Sequence, residues 1–319
     1  MSTSSTRAGA HPDVEPIVPF AGWGLRPGRD GSVPRGVAEK IGDRALRFAE
    51  EVLGEDIEAR VNRIQTFENE AGYDPFGFDP KTARYALAVS AFLHRWYFRS
   101  EVSGIKNVPQ GRALIVANHS GQVPLDGVMI GAALMLDAEP PRFPRSMVER
   151  WVQELPFISV FFPRCGQVLG SPDNARRLLN NDETLVVFPE GVRGISKTFD
   201  QRYQLANFGL GFMRLALETK TPIVPVSVIG AEEQLINVRN VRTLARLVGM
   251  PVFPVIPQLF LGAPFPLPVR YRLQFGEPIV FDGDPDDDDA VIEQKVFVVR
   301  NTIQTMLARG LSRRSSVFF

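Results

Sequence analysis

The spacing of apolar and polar residues divides the chain into a helical first third and a longer part in which strands and helices alternate. Apolar residues recur at helical spacing over 37–65, and a second helix is predicted over 81–99, where the middle carries no charge. From Gly111 onward, short apolar runs alternate with helical stretches. Short buried strands that alternate with helices are typical of an α/β sheet domain.

Several elements of this second part are predicted individually. Four apolar runs are the predicted strands: 113–117, 184–188, 223–229 and 271–275. The stretches between and after them are the predicted helices: 126–136, 145–154, 173–180, 207–218 and 287–311.

The same patterns predict three segments. Residues 1–35 are rich in Gly, Pro, Ser and Arg, a composition typical of a disordered lead. Residues 36–104 are expected to form a helical segment suited to membrane contact. Residues 105–314 are expected to form the α/β domain.

The composition excludes several kinds of partner and site. Lys and Arg together number 36, as do Asp and Glu, so no net positive charge favours binding to DNA or RNA. The single cysteine excludes an internal disulfide framework and a multi-cysteine metal site. The uncharged stretch 247–269 is long enough to cross a bilayer, but its six prolines would break a helix. We therefore expect no membrane span, and the first ten residues lack the apolar core of a secretory signal.

His119 is the strongest candidate for a catalytic base. It directly follows the strand predicted over 113–117, whereas the other two histidines lie in the predicted lead and in a predicted helix. Loops at strand ends of α/β sheets commonly carry reactive groups. Asp126 is the next carboxylate along the chain and would orient the imidazole and stabilise its charged form. Taken alone, the pair also fits a structural histidine.

A second group of candidates lies in the segment VVFPEGVRG, residues 186–194. A buried strand runs into Pro189-Glu190-Gly191, and Arg193 follows between residues with a flexible backbone. An arginine donates two parallel hydrogen bonds to phosphate or carboxylate, and glycine lets the backbone approach a ligand closely. By itself, the segment fits equally well an ordinary strand-end turn with a surface Glu–Arg pair.

Taken together, these blocks resemble the glycerolipid acyltransferases. The likeness rests on three blocks in order: Asn118-His119 with Asp126-Gly127, Phe188-Pro189-Glu190-Gly191-Val192-Arg193, and Pro222-Ile223-Val224-Pro225-Val226. The family includes glycerol-3-phosphate and lysophosphatidate acyltransferases and their monoacylglycerol acyltransferase-like relatives. The resemblance implies an α/β fold with a mixed sheet flanked by helices, preceded here by an N-terminal helical extension.

The resemblance also implies a reaction and a set of site residues. His119, oriented by Asp126, would take the proton from a hydroxyl of a glycerolipid such as lysophosphatidate or mono- or diacylglycerol. The oxygen would then attack a fatty acyl thioester of coenzyme A or acyl carrier protein, with no acyl-enzyme. Glu190 and Gly191 would shape the acceptor pocket, and Arg193 would hold an acceptor phosphate. The donor is a co-substrate, and neither a cofactor nor a metal is expected.

Two departures from the family pattern affect these expectations. Six residues separate His119 from Asp126, whereas the family usually has four, so the pair requires the extra residues to bulge outward. This longer form resembles the monoacylglycerol acyltransferase-like branch. A second family block normally ends in an arginine that helps bind phosphate, and Ser171 stands at that place here. Ser171 is therefore a further candidate for substrate binding.

Lipid substrates imply that the protein reaches a membrane surface. Arg239, Arg242 and Arg246 have the spacing of one helix face and precede the apolar stretch 247–269, a combination suited to anionic headgroups. The end of the second predicted helix has a similar amphipathic character, with aromatic residues beside basic ones. Both segments also fit packing within the protein. We expect peripheral attachment to the cytoplasmic leaflet.

Two other functions fit parts of the pattern. One is a lipid thioesterase or hydrolase, in which water replaces the acceptor; the chain lacks the Gly-x-Ser-x-Gly turn of a serine enzyme. The other is a catalytically silent, membrane lipid-binding relative, favoured by the long spacing between His119 and Asp126. The distance between the imidazole and the carboxylate distinguishes this second alternative from an enzyme.

Overall fold

A mixed β-sheet is the centre of the fold. The computed structural model describes residues 37–66, 68–69, 74–120, 123–153, 157–247, 252–260, 262 and 265–318, so the predicted lead over 1–35 lies outside the described residues. Within these residues, the strands are β1 (Glu101–Ser103), β2 (Ala113–Ala117), β3 (Pro144–Val148), β4 (Gln167–Leu169), β5 (Thr184–Val187), β6 (Ile223–Ile229), β7 (Arg239–Asn240), β8 (Pro254–Val255) and β9 (Arg272–Phe275).

Seven of these strands form the main sheet, in the order β1-β9-β6-β2-β5-β3-β4, while β7 and β8 pair with each other. Strands β6, β2, β5, β3 and β4 run parallel. Strand β9 is antiparallel to β6 and parallel to β1. The predicted mixed sheet is therefore confirmed, and the carboxyl ends of β6, β2 and β5 lie side by side at one edge.

Helices cover both faces of the sheet. The α-helices are α1 (Val37–Leu53), α2 (Ile57–Asn62), α3 (Pro80–Phe92), α4 (Leu125–Leu136), α5 (Arg150–Gln153), α6 (Ile158–Arg164), α7 (Pro172–Asn180), α8 (Val192–Ile195), α9 (Gly211–Thr219), α10 (Ala231–Gln234), α11 (Arg242–Leu247), α12 (Pro257–Phe260) and α13 (Asp289–Ser312). A π-helical turn (Leu93–Tyr97) continues α3, and 3₁₀ turns cover Ile105–Asn107 and Phe199–Gln201.

Two apolar cores explain why the central strands are hydrophobic throughout. Helices α7, α9 and α13 pack on one face of the sheet through residues such as Leu178, Met213 and Ile303. Helix α4 packs on the other face, and α2 and α3 cover its outer side. All five residues of β2 are buried because both faces of a central parallel strand are covered.

The structure corrects three predicted helices. The helix over 145–154 is wrong: this stretch is strand β3 followed by the short α5. The helix over 37–65 is divided at Gly54, whose φ of 64° ends α1, and α2 begins at Ile57. The helix over 81–99 is α3, which passes into the π-helical turn at Leu93.

The burial of Arg145 explains the error at β3. Its side chain is completely buried, and its guanidinium pairs with Asp74 and, at 2.5 Å, with Glu183. Phe76 and Phe143 lie within 6 Å of the same group. A charged residue at this position indicates an exposed helix when only the local pattern is considered, but two distant carboxylates neutralise it in the fold.

The basic segment proposed for membrane contact has a different structure from the predicted one. Arg239 lies in β7 and α11 begins only at Arg242, so the three arginines do not share one helix face. Parts of 247–269 lie outside the described residues. Among the helices that are described, none is both long enough and apolar enough to cross a membrane. Chain contacts group residues 42–319 into one unit and residues 1–41 into another, of which only the start of α1 is described.

Candidate active site

The candidate site lies where the central strands β5, β2 and β6 end. His119 is in the loop after β2, Glu190 is in the loop after β5, and Glu232 lies in α10, directly after β6. Because these three strands are parallel neighbours, their carboxyl ends bring the three loops together. Asn118 fixes the first loop to β6, since its side-chain amide both donates to and accepts from the backbone of Val228, at 3.0 and 2.8 Å.

The structure brings His119 and Asp126 into direct contact. The Nδ1 atom of His119 lies 2.7 Å from Oδ2 of Asp126, which is completely buried in the first turn of α4. The backbone N–H groups of Ser120 and Gly127 also donate to this carboxylate, at 2.9 and 2.8 Å. In the neutral form of the imidazole, an accepting carboxylate at Nδ1 selects the tautomer with its hydrogen on Nδ1 and a free lone pair on Nε2. Gly121 and Gln122 of the intervening loop lie outside the described residues.

Two further contacts restrict the orientation of the imidazole. The ring of Phe188 stacks on it, with centroids 4.3 Å apart and planes inclined by 26°. Gly194 packs against the Cβ atom of His119: a Cβ atom added to Gly194 would lie 2.8 Å from it. The His119 side chain keeps 14% of its surface exposed, so the ring is held in place yet open to solvent.

Glu190 binds two stretches of backbone beside the predicted base. Its side chain is buried, with Oε1 accepting the backbone N–H of His119 at 2.9 Å and Oε2 accepting that of Ala206 at 2.7 Å. Both oxygens are occupied within the protein. Glu190 therefore fixes the backbone of the catalytic-base candidate, and its part in shaping the acceptor pocket stays a prediction.

Gly191 and Arg193 stand at the rim of the site. Gly191 has a φ of 55° and a ψ of −141°, a backbone conformation that residues with a Cβ atom rarely adopt, so glycine is required at this turn. Arg193 is exposed in α8, next to Gly194, and its guanidinium has no hydrogen-bond or ion-pair partner within the described part of the chain. An unpaired cation at this place is free to bind an anionic group.

Ser171 lies apart from the other predicted residues. Its hydroxyl oxygen accepts the backbone N–H of Asn174 at 3.2 Å and so caps the start of α7. It follows β4, which is three strand positions from β2, or about 14 Å at the usual spacing between strands. The structure therefore does not bring Ser171 next to His119.

Lys197 is a component of the site to which the sequence pattern assigned no role. Its ammonium lies 3.3 Å from Oε2 of Glu190 and 3.0 Å from Oε1 of Glu232. Burial raises the pKa of Glu232 above its usual value, and Lys197 offsets only part of this effect. Two buried carboxylates thus share one buried cation directly behind the loop of His119.

Two of the cavities among the described residues lie at opposite ends of the strands. A small one, with room for about one water molecule (≈ 10 Å³), is lined by Gly194, Lys197 and Glu232. A larger one of about 390 Å³ is lined by residues such as Ile105, Asp137 and Arg142, at the amino ends of β2 and β3. The larger cavity is thus at the opposite edge of the sheet from His119. No cluster of potential metal ligands occurs in the part of the chain that the structure describes.

Comparison with known proteins places these features in a family. The family model described as Acyltransferase matches residues 99–229, which include strands β1 to β6 and the loops of His119 and Glu190. An uncharacterized protein of Mycobacterium tuberculosis is 39% identical over 264 residues, covering 80% of this chain and 74% of the relative. The Gallus gallus protein called DGAT1/2-independent enzyme synthesizing storage lipids is 26% identical over 184 residues, covering 57% of this chain and 52% of that protein.

A solved structure is also similar. The 1-acyl-sn-glycerophosphate (LPA) acyltransferase PlsC from Thermotoga maritima has a TM-score of 0.47 and 17% sequence identity, covering 88% of this chain and 99% of that one. The family model and the mycobacterial relative, of which this chain covers 74%, show that the chain belongs to the Acyltransferase family and is an acyltransferase.

Proposed function

We propose that this acyltransferase moves a fatty acyl group from acyl-CoA or acyl carrier protein to a glycerolipid hydroxyl, with His119 as the general base. The observation that supports this most directly is the 2.7 Å contact between His119 Nδ1 and Asp126 Oδ2. This contact leaves Nε2 as a hydrogen-bond acceptor on a ring that is partly exposed. It also favours an enzyme over a catalytically silent relative.

The proposed reaction needs no acyl-enzyme. His119 Nε2 takes the proton of the acceptor hydroxyl while that oxygen attacks the thioester carbonyl carbon. Asp126 stabilises the imidazolium that results. The tetrahedral intermediate then expels the thiolate, which takes the proton from the imidazolium and leaves as the free thiol. The imidazole is neutral again, and the acyl group is esterified to the lipid.

The identity of the acceptor is a second part of the proposal. Arg193, unpaired among the described residues and exposed, supports the binding of a phosphorylated acceptor such as lysophosphatidate. Ser171 is committed to capping α7 and is a weaker candidate for that role. The relatives that synthesize storage lipids support mono- or diacylglycerol as the acceptor. Both classes of acceptor belong in the first assay.

Membrane attachment is proposed on the basis of an exposed apolar surface at α6. Phe157, Val160 and Phe161 are 88%, 53% and 45% exposed, and exposed Arg150 and Arg164 lie on either side of them along the chain. Apolar side chains between basic ones suit an anionic bilayer surface. We propose peripheral attachment to the cytoplasmic leaflet.

Flotation with anionic vesicles tests this attachment. We expect the parent protein to float and Phe157→Ser/Phe161→Ser to float less. Phe297→Ser, which removes a phenylalanine that is 61% exposed on α13, is the matched control and should float like the parent. A parent protein that stays in the soluble fraction would refute the attachment, and equal flotation of all three proteins would refute the role of α6.

The central experiment measures thiol release from long-chain acyl-CoA with lysophosphatidate, glycerol 3-phosphate, monoacylglycerol or diacylglycerol, together with the lipid products. We expect ester formation with at least one acceptor and a decrease in turnover of about 10²–10⁴-fold in His119→Ala. Thiol release that yields only free fatty acid would indicate a hydrolase. Absence of turnover with every acceptor would indicate the silent relative, and His119→Ala at the parental rate would exclude the proposed base.

A further inference from the structure

Lys197 connects the three loops that form the site. Its side chain is 9% exposed, and the carboxylates of Glu190 and Glu232 beside it are 0% and 5% exposed. Glu190 accepts the backbone N–H of His119 at 2.9 Å, and Glu232 accepts that of Tyr203 at 2.8 Å. One ammonium group therefore contacts both carboxylates, and each carboxylate fixes a separate stretch of backbone.

The balance of charge makes this contact significant. Glu190 and Glu232 are buried carboxylates that both contact the same ammonium, and a buried charge without a partner is strongly disfavoured. The ionisable groups around Glu190 are Lys197 in the turn after α8, Glu232 in α10 and His119 after β2, with Glu149 next to Gly191. Among these groups, Lys197 is the permanent cation.

The carboxylate of Glu190 affects the base through a single hydrogen bond. An ionised carboxylate accepts a backbone N–H more strongly than a protonated one does. The bond from the His119 N–H determines where the backbone of the base lies, while Asp126 and Phe188 orient its ring. A displacement of about 1 Å at a catalytic group can lower the rate about 10²-fold.

We propose that Lys197 is a positioning residue for acyl transfer: its ammonium holds the carboxylates of Glu190 and Glu232 together, and Glu190 thereby holds the backbone of His119 where the imidazole reaches the acceptor hydroxyl. Lys197 itself does not touch the reacting atoms. The inference rests on the proposed role of His119, and it assigns a function to a residue outside the family's motif blocks.

The test uses Lys197→Met in the full chain, with kcat measured from pH 5.5 to 9. Methionine keeps an unbranched side chain that is one atom shorter and removes the charge, so the two carboxylates then face each other without a cation. We expect kcat at pH 7 to fall about 10-fold or more. We also expect kcat to rise with pH more steeply than in the parent, because two buried carboxylates without a cation take up a shared proton at low pH, which weakens their hold on the backbone.

Two other variants separate positioning from general destabilisation. Lys197→Met/Glu232→Gln removes the second negative charge, so its pH profile should return toward that of the parent. Lys295→Met is the matched control, because Lys295 pairs with Asp287 at 3.5 Å near the start of α13, and it should keep the parental kcat and profile. Hydrogen exchange of the peptide that contains His119 should be faster in Lys197→Met than in the parent and in Lys295→Met.

Each result decides the question. A parental kcat, pH profile and exchange rate in Lys197→Met would overturn the proposal, as would a double variant that remains like Lys197→Met. If Lys197→Met does not fold, Glu190→Gln gives the test, since it cannot ionise and should lower kcat; a parental kcat there overturns the proposal. Loss of turnover in His119→Ala with a parental Lys197→Met rejects only the role of Lys197. An inactive parent rejects the proposed function, and the exchange measurement then still tests the contact.

Discussion

Replacement of Asp126 by asparagine tests the hydrogen-bond geometry of the site directly. In the structure, Oδ2 of Asp126 accepts from His119 Nδ1 at 2.7 Å and from the Ser120 N–H at 2.9 Å, while Oδ1 accepts from the Gly127 N–H at 2.8 Å. An asparagine side chain has one acceptor oxygen and one NH₂ group. If its oxygen takes the place of Oδ2, its NH₂ group faces the Gly127 N–H. If its NH₂ group does so, it faces the Ser120 N–H and favours the wrong tautomer of His119.

Either orientation of the asparagine therefore places a donor against a donor and removes the charge that stabilises the imidazolium. We expect Asp126→Asn to lower kcat about 10²–10⁴-fold, which corresponds to about 3–5 kcal/mol in the activation free energy. The measurement is thiol release from long-chain acyl-CoA at a saturating concentration of the acceptor that the parent prefers.

The chain offers a matched control for this variant. Asp137 makes an equivalent contact with a histidine, since its Oδ2 lies 2.8 Å from Nε2 of His94, but this pair lies at the opposite edge of the sheet. Asp137→Asn should keep a kcat close to that of the parent. If Asp126→Asn keeps kcat within about threefold of the parent, the proposed base mechanism is refuted. If both variants lose activity equally, the effect on Asp126→Asn reflects folding and not the base.

Three further predictions concern neighbouring residues. Gly194→Ala should lower kcat about 10-fold or more in a folded protein, because its Cβ atom would lie 2.8 Å from that of His119; parental kcat would contradict this. Arg193→Ala should raise KM for a phosphorylated acceptor and leave KM for diacylglycerol unchanged, and an unchanged KM for both would exclude its binding role. Burial opposes ionisation of Asp137, but His94 and Arg95 outweigh burial and lower its pKa. Its charged form therefore stabilises the fold above the unfolded pKa, and this contribution is lost as pH falls through the lowered folded value. In urea unfolding, Asp137→Asn should lower the free energy of unfolding more at pH 7 than at pH 3. An equal loss at both pH values would contradict the lowered pKa of Asp137.

The sequence predicted the central strands well because their apolar runs are uninterrupted. Strands β2 and β6 have the predicted bounds, and β5 and β9 differ by one residue at one end. Strands β1, β3 and β4 were missed because they are short or carry polar residues toward the edges of the sheet. The burial of Arg145 in β3 depends on Asp74 and Glu183, which are remote in the sequence. Local periodicity contains no information about such partners.

The part of the candidate site whose residues are close in the sequence was predicted, and the part that depends on distant contacts was not. His119 and Asp126 are close in the sequence, and an elimination among three histidines, together with the family resemblance, led to the predicted pair. Glu190 and Lys197 act across loops, so their contacts become visible only when β5, β2 and β6 lie side by side. Only a weak sequence signal pointed to the stacking of Phe188 on His119: Phe188 is the first residue of the Phe-Pro-Glu-Gly block.

The loop after β2 is anchored at both ends, and this affects how relatives of this protein can be recognised. Asn118 is bound to β6 and Asp126 is fixed at the start of α4, so both ends of the loop are set by the sheet and the helix. Residues added between these anchors lengthen the loop while the histidine and the aspartate keep their contact. A search that demands a constant number of residues between the histidine and the aspartate would overlook such chains. A search that requires the anchored ends, with the interval left variable, would find them.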